Sequence, residues 1–243
     1  MEEASIAPTL NKEYFNNAYC GMDDWVYEMR REIQEIVPGI YLGPFSACRQ
    51  VKYLKEKGIT HITCFVDLDE AKLFRTETMA TYFNYQQLIV SDSNLQNLIQ
   101  YFPSTSEYIR NVLANNGKVV VCCNGGMSRS PTFVIAYVME TFNIDASQAY
   151  HFVQSKRLCI NPNDGFKSQL KEYEPIYKAR QSNTAAGMNE GHSGQQINRR
   201  RRRSVPDDDT NSSSQSQDSK RLSRLEDQNP QQNVNAGYIS MLL

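Results

Sequence analysis

The sequence lacks the features of a membrane or secreted protein. Its 243 residues contain no run of 18 or more apolar residues, about the length that crosses a bilayer as a helix. The opening residues MEEASIAPTL have neither the basic start nor the apolar stretch of a secretory signal, so we expect an intracellular protein. The formal net charge is only −1, which gives no reason to expect nucleic acid or a membrane as a partner.

Metal-binding patterns are also absent from the sequence. The six cysteines show no CxxC spacing and no matching histidine pattern, so we expect neither a zinc site nor another cofactor. In a reducing compartment these cysteines should remain free thiols. The simplest interpretation of Cys48, Cys64 and Cys159 is that each is a small buried apolar residue.

Aromatic residues are scarce in the last quarter of the chain. Residues 181–243 contain one aromatic residue, Tyr238, whereas the preceding residues contain 24. A segment this polar cannot bury enough apolar surface to offset its ordering entropy, so we predict a disordered tail. We assign residues 1–27 to an N-terminal extension and residues 28–180 to one compact domain.

The predicted tail carries five consecutive arginines, Arg199 to Arg203, directly before Ser204 and an acidic run. Such a block can act as a nuclear localisation signal or as an anion-binding patch. The alternative is a solvated polar segment that its own acidic residues partly neutralise. We expect the protein in the cytoplasm and the nucleus.

Predicted strands and helices alternate between residues 40 and 180. Alternating or continuous apolar runs indicate strands, and apolar residues at helical spacing indicate helices. The predicted strands are 40–44, 59–66, 83–90 and 118–123, and the predicted helices are 48–58, 97–117, 130–142, 145–156 and 163–180. This alternation predicts an α/β fold with a central mixed sheet flanked by helices on both faces.

One segment joins a buried strand to a helix through a glycine-containing turn. The strand KVVVCC ends at Cys123, and five residues separate Cys123 from Arg129. A tight loop in this place can aim successive backbone N–H groups at a tetrahedral oxyanion, and an arginine fork can hold two phosphate oxygens. The two glycines would allow positive φ angles and close approach of the anion. The predicted phosphate-binding residues are Asn124, Gly125, Gly126, Met127, Ser128 and Arg129.

Cys123 lies at the base of this loop, where its thiol could act as a nucleophile. A free thiol with a pKa of about 8.5 is only a few per cent ionised at neutral pH. The loop N–H groups, the dipole of the following helix and Arg129 would all favour the thiolate. The sequence therefore predicts a working nucleophile at Cys123.

Cys-x5-Arg followed by Ser, placed between a strand and a helix, resembles the signature of the protein tyrosine phosphatases. The run GMSRS at 126–130 is similar to that of the dual-specificity branch, and the likeness covers about residues 28–178, including IVPGIYLGP and INPNDGF. The resemblance implies a protein phosphatase that acts on phosphotyrosine and on phosphoserine or phosphothreonine. Its implied intermediate is a cysteinyl-phosphate formed without a metal.

The same resemblance implies the roles of other residues. The family carries a general acid after a neighbouring strand, and YQQLIVSD places Asp92 in that position. Asp92 would protonate the leaving oxygen and then act as a base toward water. Ser130 matches the hydroxyl that helps the thiolate to leave. The implied catalytic set is therefore Cys123, Arg129, Asp92 and Ser130.

Three supporting residues have more than one interpretation. Cys122 stands where the active family usually has a histidine that supports the thiolate, so we expect weakened activity and an alkaline-shifted pH profile. On a strand Cys122 points away from Cys123, so we expect its side chain in the core. Asn161 and Asn163 either cap or turn the chain before the last helix or brace the loop.

The chain also resembles the STYX-like pseudophosphatases of this family, in which glycine replaces the nucleophilic cysteine; this sequence has Cys123 there. That resemblance implies a second function, in which the loop binds phosphoproteins without turnover. The protein would then act as a scaffold or competitor. The partners implied by resemblance are phosphorylated proteins, such as MAP kinases, and ubiquitin-ligase adaptors.

Overall fold

A computed structural model describes residues 12–17, 25–74 and 77–187 of the chain. Within these ranges, no helix is both long enough and apolar enough to cross a membrane. The arginine block at 199–203, Ser204 and Tyr238 lie outside the described residues.

The described residues form five strands and nine α-helices, with short 3₁₀ turns at Tyr27–Arg31 and Ile99–Tyr101. The strands are β1 (Gln34–Val37), β2 (Ile40–Pro44), β3 (His61–Val66), β4 (Asn84–Ile89) and β5 (Val119–Cys123). The helices are α1 (Lys12–Asn17), α2 (Phe45–Cys48), α3 (Val51–Glu56), α4 (Leu68–Phe74), α5 (Glu77–Ala80), α6 (Phe102–Ala114), α7 (Arg129–Phe142), α8 (Ala146–Lys156) and α9 (Asp164–Gly187).

The strands form one mixed sheet in the order β1-β2-β5-β3-β4. β1 runs antiparallel to β2, and the other neighbouring strands run parallel. β5 lies at the centre between β2 and β3, and all five of its residues are buried. The predicted mixed sheet flanked by helices is therefore confirmed, with the VVVCC run as its central strand.

Alternation along β5 divides its side chains between two hydrophobic cores. Val119, Val121 and Cys123 join the larger core, to which α6, α7, α8 and α9 contribute. Val120 and Cys122 join the smaller core on the opposite face, to which α2 and α3 contribute. Successive residues of a strand point to opposite faces, so the two adjacent cysteines lie in different environments.

The prediction that Cys122 packs in the core is confirmed. Its side chain has no exposed surface and pairs in register with Cys64 of β3 and Gly43 of β2. Burial and the neighbouring thiols of Cys48 and Cys64 raise its pKa well above the usual range. Cys122 is therefore held as a neutral thiol and is not suited to act as a nucleophile.

Several predicted boundaries differ from the structure. The helix predicted at 48–58 contains the last residue of α2 and all of α3, and it is interrupted between them because the backbone at Gln50 leaves the helical region. The last helix was predicted to end at 180, but α9 continues to Gly187. The Gln181 side chain donates a 2.9 Å hydrogen bond to the Glu140 carbonyl, which anchors this extra length.

Part of the predicted N-terminal extension also packs on the domain. In α1, the ring of Phe15 lies 5.0 Å from that of Phe152 and 5.5 Å from that of Phe142, measured between centroids. Tyr14 stacks on Phe142 at 6.0 Å. These rings pack against Phe142 at the end of α7 and Phe152 within α8, so an aromatic pair in a polar segment extends the larger core.

Candidate active site

The candidate site lies at the carboxyl end of β5, where the loop 124–128 leads into α7. In open sheets of parallel strands, ligands bind beyond the carboxyl ends of the strands. The sheet order places the end of β3 beside this loop, with α4 directly after it. Groups from distant parts of the sequence therefore meet here.

The carbonyl groups of the loop all turn toward the surrounding protein. Each accepts a hydrogen bond: Asn124 from Phe45 N (3.3 Å), Gly125 and Gly126 from the Arg157 guanidinium (3.4 and 3.0 Å), Met127 from Asn161 N (2.6 Å) and Ser128 from Thr132 N (3.2 Å). In the described part of the chain, the N–H groups of residues 124–128 have no protein acceptor. These N–H groups are free to bind an anion, as in other phosphate nests.

Gly126 has a conformation that favours glycine, whereas its neighbour does not. Its φ angle is +63°, and a Cβ atom there would lie 2.5 Å from the Gly43 carbonyl oxygen and 2.7 Å from Pro44 N. Gly125 has no positive φ, and a Cβ there would meet only the Met127 side chain at 3.7 Å. The positive φ that both glycines would allow is therefore adopted by Gly126 and not by Gly125.

Cys123 and Ser130 lie together beneath the loop. The Cys123 side chain is 2% exposed, and the Ser130 hydroxyl donates a 3.2 Å hydrogen bond to its sulphur. A hydroxyl that donates to sulphur favours the thiolate, and it would do the same when sulphur is a leaving group. The geometry suits the two roles that the resemblance implies for these residues.

Arg129 begins α7 and is held by Glu70, which sequence reasoning missed. The guanidinium is 4% exposed, and its two terminal nitrogens donate to the Glu70 carboxylate at 2.5 and 2.9 Å. Its Nε is buried and has no hydrogen-bond partner among the described residues. This nitrogen is therefore an available donor for a phosphate oxygen.

The Arg129–Glu70 pair is ionised at neutral pH. Burial would raise the pKa of Glu70, but hydrogen bonds from Arg129 and the Asp67 backbone, with the Arg129 charge, outweigh it and lower the pKa. A carboxyl group whose pKa is lowered by folding stabilises the fold above its unfolded pKa. This stabilisation is lost as the pH falls through the lowered pKa.

Asp92 lies beside the loop, as the resemblance implies for a general acid. Its Oδ1 accepts hydrogen bonds from the Ser128 hydroxyl (2.6 Å) and the Asn163 amide (2.9 Å), and its Oδ2 lies 3.8 Å from Arg129 Nε. With Oδ1 held as an acceptor, Oδ2 is the oxygen that could carry a transferable proton.

Asn163 and Asn161 both cap or turn the chain and contact the site. The Asn163 side chain accepts a 3.0 Å hydrogen bond from Phe166 N at the start of α9, while its amide donates to Asp92. The Asn161 backbone N–H donates to the Met127 carbonyl. The two interpretations left open by the sequence therefore hold together, because the INPN segment starts α9 and braces the loop.

The predicted catalytic residues are thus brought together, and two unpredicted ones join them. Glu70 could have been suspected as an acidic residue just after a strand, but only the sheet order puts it beside Arg129. Arg157 carried no local signal, yet it is fully buried and binds two loop carbonyls. Over the described ranges, no group of three or more His, Cys, Asp or Glu could hold a metal ion.

Comparison with known proteins identifies the family. Residues 40–176, more than half of the chain, match the family described as dual specificity phosphatase, catalytic domain. The chain belongs to the dual specificity phosphatase family. The resemblance drawn from the Cys-x5-Arg loop is therefore confirmed.

Some relatives of this chain are named as interacting proteins and others as phosphatases. The chain is 46% identical to the serine/threonine/tyrosine-interacting protein of Homo sapiens over 160 residues, which are 65% of this chain and 71% of that protein. The crystal structure of that human protein matches with a TM-score of 0.57 and 45% identity, covering 61% of this chain and 99% of that chain. Dual specificity protein phosphatase 22 of Homo sapiens is 33% identical over 146 residues, 60% of this chain and 76% of that protein.

Replacing Glu70 should impair phosphate binding through Arg129. We expect Glu70→Gln to weaken binding of inorganic phosphate or vanadate about tenfold and Glu70→Ala on the order of 10²-fold, because the guanidinium loses its fixed orientation. Isothermal titration calorimetry checks this. Asp69→Asn is the matched control, since Asp69 is an exposed neighbour whose carboxylate pairs with Lys72. Equal affinities for Glu70→Ala and Asp69→Asn would contradict the role of Glu70.

Proposed function

We propose that this protein is a cysteine-dependent phosphatase of the dual-specificity type, acting on phosphotyrosine and on phosphoserine or phosphothreonine in proteins. One observation carries the proposal. Each carbonyl of the loop 124–128 accepts a hydrogen bond, and its N–H groups have no acceptor among the described residues, around a buried thiol that accepts a hydrogen bond from Ser130. A thiol in such an oxyanion nest is placed to attack phosphorus and stabilise the transition state.

In the first step, the Cys123 thiolate attacks phosphorus while the bond from phosphorus to the substrate oxygen breaks. The loop N–H groups and Arg129 Nε bind the three equatorial oxygens, whose charge grows in the transition state. Oδ2 of Asp92 gives its proton to the leaving oxygen. The products are the dephosphorylated side chain and a cysteinyl-phosphate.

In the second step, water attacks the cysteinyl-phosphate. Asp92, now ionised, takes a proton from this water, and the bond between phosphorus and sulphur breaks. The Ser130 hydroxyl, 3.2 Å from the sulphur, donates to the thiolate as it leaves. Inorganic phosphate is released and the enzyme returns to its starting state.

A second candidate function is phosphoprotein binding without turnover. It is favoured by the 46% identity to the serine/threonine/tyrosine-interacting protein and by Cys122 in the position of the family's histidine. The same nest would then hold phosphorylated partners, and the protein would act as a scaffold or competitor. Cys123 favours turnover, because a purely binding loop has no need for a thiol.

Trapping the intermediate tests turnover directly. We expect acid-quenched protein, mixed with an aryl phosphate, to carry a phosphoryl group on Cys123. Ser130→Ala should slow its hydrolysis about 10- to 100-fold and raise its occupancy, because the leaving thiolate loses a charge-assisted hydrogen bond. Intact-mass and tandem mass spectrometry measure the occupancy. Ser104→Ala is the control, since that hydroxyl bonds only the Tyr101 carbonyl. If neither the wild type nor Ser130→Ala carried phosphocysteine, the proposed turnover would be contradicted, and phosphoprotein binding without turnover would remain.

A further inference from the structure

Arg157 is a buried cation whose donors all meet neutral oxygens. Its side chain has no exposed surface, and it forms no ion pair with a carboxylate of the described residues. Its five N–H groups bond instead to the carbonyls of Gly125, Gly126, Arg30 and Glu32 and to the side-chain oxygen of Gln34. A buried charge without a counter-ion is unfavourable, so an anion that forms close by is stabilised.

The position of Arg157 relates this charge to the nucleophile. It binds the carbonyls of the residues two and three positions after Cys123, with distances of 3.4 and 3.0 Å. Burial lowers the pKa of Arg157, and negative charge on the sulphur of Cys159 or Cys123 would act against this. Cys159 is half-buried, and its own pKa is raised by burial despite the Arg157 charge.

The second arginine at the site already has its counter-charges. The Arg129 guanidinium meets the Glu70 carboxylate at 2.5 Å and the Asp92 carboxylate at 3.8 Å. Arg129 interacts with Cys123 by charge, and the Glu70 carboxylate that it binds offsets part of this attraction. Among the described charged groups that face Cys123, Arg157 is the one cation without a carboxylate partner.

We propose that Arg157 is a positioning residue that stabilises the Cys123 thiolate and supplies part of the support that the family draws from the histidine replaced here by Cys122. It acts in two ways. Its hydrogen bonds turn the Gly125 and Gly126 carbonyls outward, which leaves the loop N–H groups facing the anion. Its unbalanced charge attracts the thiolate through the protein interior, where screening is weak. The inference rests on the proposed phosphatase function.

Charge and hydrogen bonding can be separated by substitution. Arg157→Gln keeps an amide donor near the position of Nε, which binds the Gly126 carbonyl, and removes the charge, whereas Arg157→Lys keeps the charge and loses most of the bonds. Iodoacetamide alkylation of Cys123, followed against pH by tandem mass spectrometry, measures the thiolate without requiring turnover. We expect Arg157→Gln to move the alkylation midpoint upward by about one pH unit, which lowers the thiolate at neutral pH about tenfold, and Arg157→Lys to move it much less.

Arg110→Gln is the matched control. Arg110 pairs with the buried Glu140 at 3.2 Å, away from the loop, so its loss should lower the melting temperature and leave the midpoint unchanged. Equal shifts for Arg157→Gln and Arg157→Lys, or no shift in a folded Arg157→Gln protein, would overturn the proposal. Should Arg157→Gln fail to fold, Arg157→Met, with circular dichroism as a folding check, removes the charge together with all five bonds, and an unchanged midpoint in the folded variant would overturn the proposal. Because alkylation needs no substrate, an inactive wild type would contradict the proposed function and leave this test intact.

Discussion

Replacing Cys123 by serine should lower aryl-phosphate hydrolysis by at least about 10³-fold, the scale on which a covalent nucleophile is lost. The change exchanges one atom in a fully packed site, and a hydroxyl in this nest is far less ionised than a thiol. Phosphate binding should persist, because the loop N–H groups and Arg129 are untouched. Hydrolysis of p-nitrophenyl phosphate across pH 5–9 measures the loss, and calorimetry with inorganic phosphate measures the binding.

Cys48→Ser is the matched control for this experiment. Cys48 is also fully buried, but it lies in the smaller core, where its thiol donates to the Pro44 carbonyl at 3.9 Å and neighbours the Cys122 thiol. It tests whether burying a hydroxyl in place of a thiol disturbs turnover by itself. Equal rates for wild type and Cys123→Ser would contradict catalysis and favour the binding function. A wild-type rate that rises toward alkaline pH is expected where Cys122 replaces the supporting histidine.

Replacing Gly126 by alanine should destabilise the protein by about 2–5 kcal/mol and abolish phosphate binding. An L-residue at a φ of +63° costs about 1–2 kcal/mol, and its Cβ would overlap the Gly43 carbonyl oxygen at 2.5 Å. Gly43 lies in β2, which hydrogen bonds to β5 hold in place, so its carbonyl oxygen cannot move away from an added Cβ. Chemical denaturation measures the loss of stability.

Gly125→Ala is the control that the chain itself provides. The two glycines are adjacent, but at Gly125 a Cβ would meet only the flexible Met127 side chain at an ordinary 3.7 Å. We therefore expect a change of less than about 1 kcal/mol in the free energy of unfolding and retained phosphate binding. Similar destabilisation by both substitutions would show that the loop does not depend on the backbone contact between Gly126 and Gly43.

The parts of the site that the sequence predicted are those that lie within one short loop. Cys123, Arg129 and Ser130 follow one another across a strand, a turn and a helix start, so their spacing alone determines their proximity. Asp92 came from family resemblance rather than from spacing. Glu70 and Arg157 reach the loop across 59 and 31 residues, and no local pattern encodes such contacts.

The details that the sequence did not reveal also depend on contacts between residues that are far apart in the chain. Two adjacent glycines look equivalent in a sequence, and only the approach of the Gly43 backbone makes one of them necessary. The end of α9 depended on a side-chain bond from Gln181 to the Glu140 carbonyl, which extends a helix into a polar segment. Composition averages over a whole segment and could not reveal one anchoring contact.

The outward-turned carbonyls of the loop also bear on how such a domain can diverge. Their donors are Phe45, Arg157, Asn161 and Thr132, and none of these is the nucleophile or the general acid. The conformation of the loop therefore does not depend on the Cys123 thiol or the Asp92 carboxylate. A single codon change at position 123 could abolish the reaction while the loop 124–128 keeps its conformation, and the reverse change could restore the reaction. Descent within this fold can therefore pass between enzyme and adaptor in one step, without rebuilding the fold.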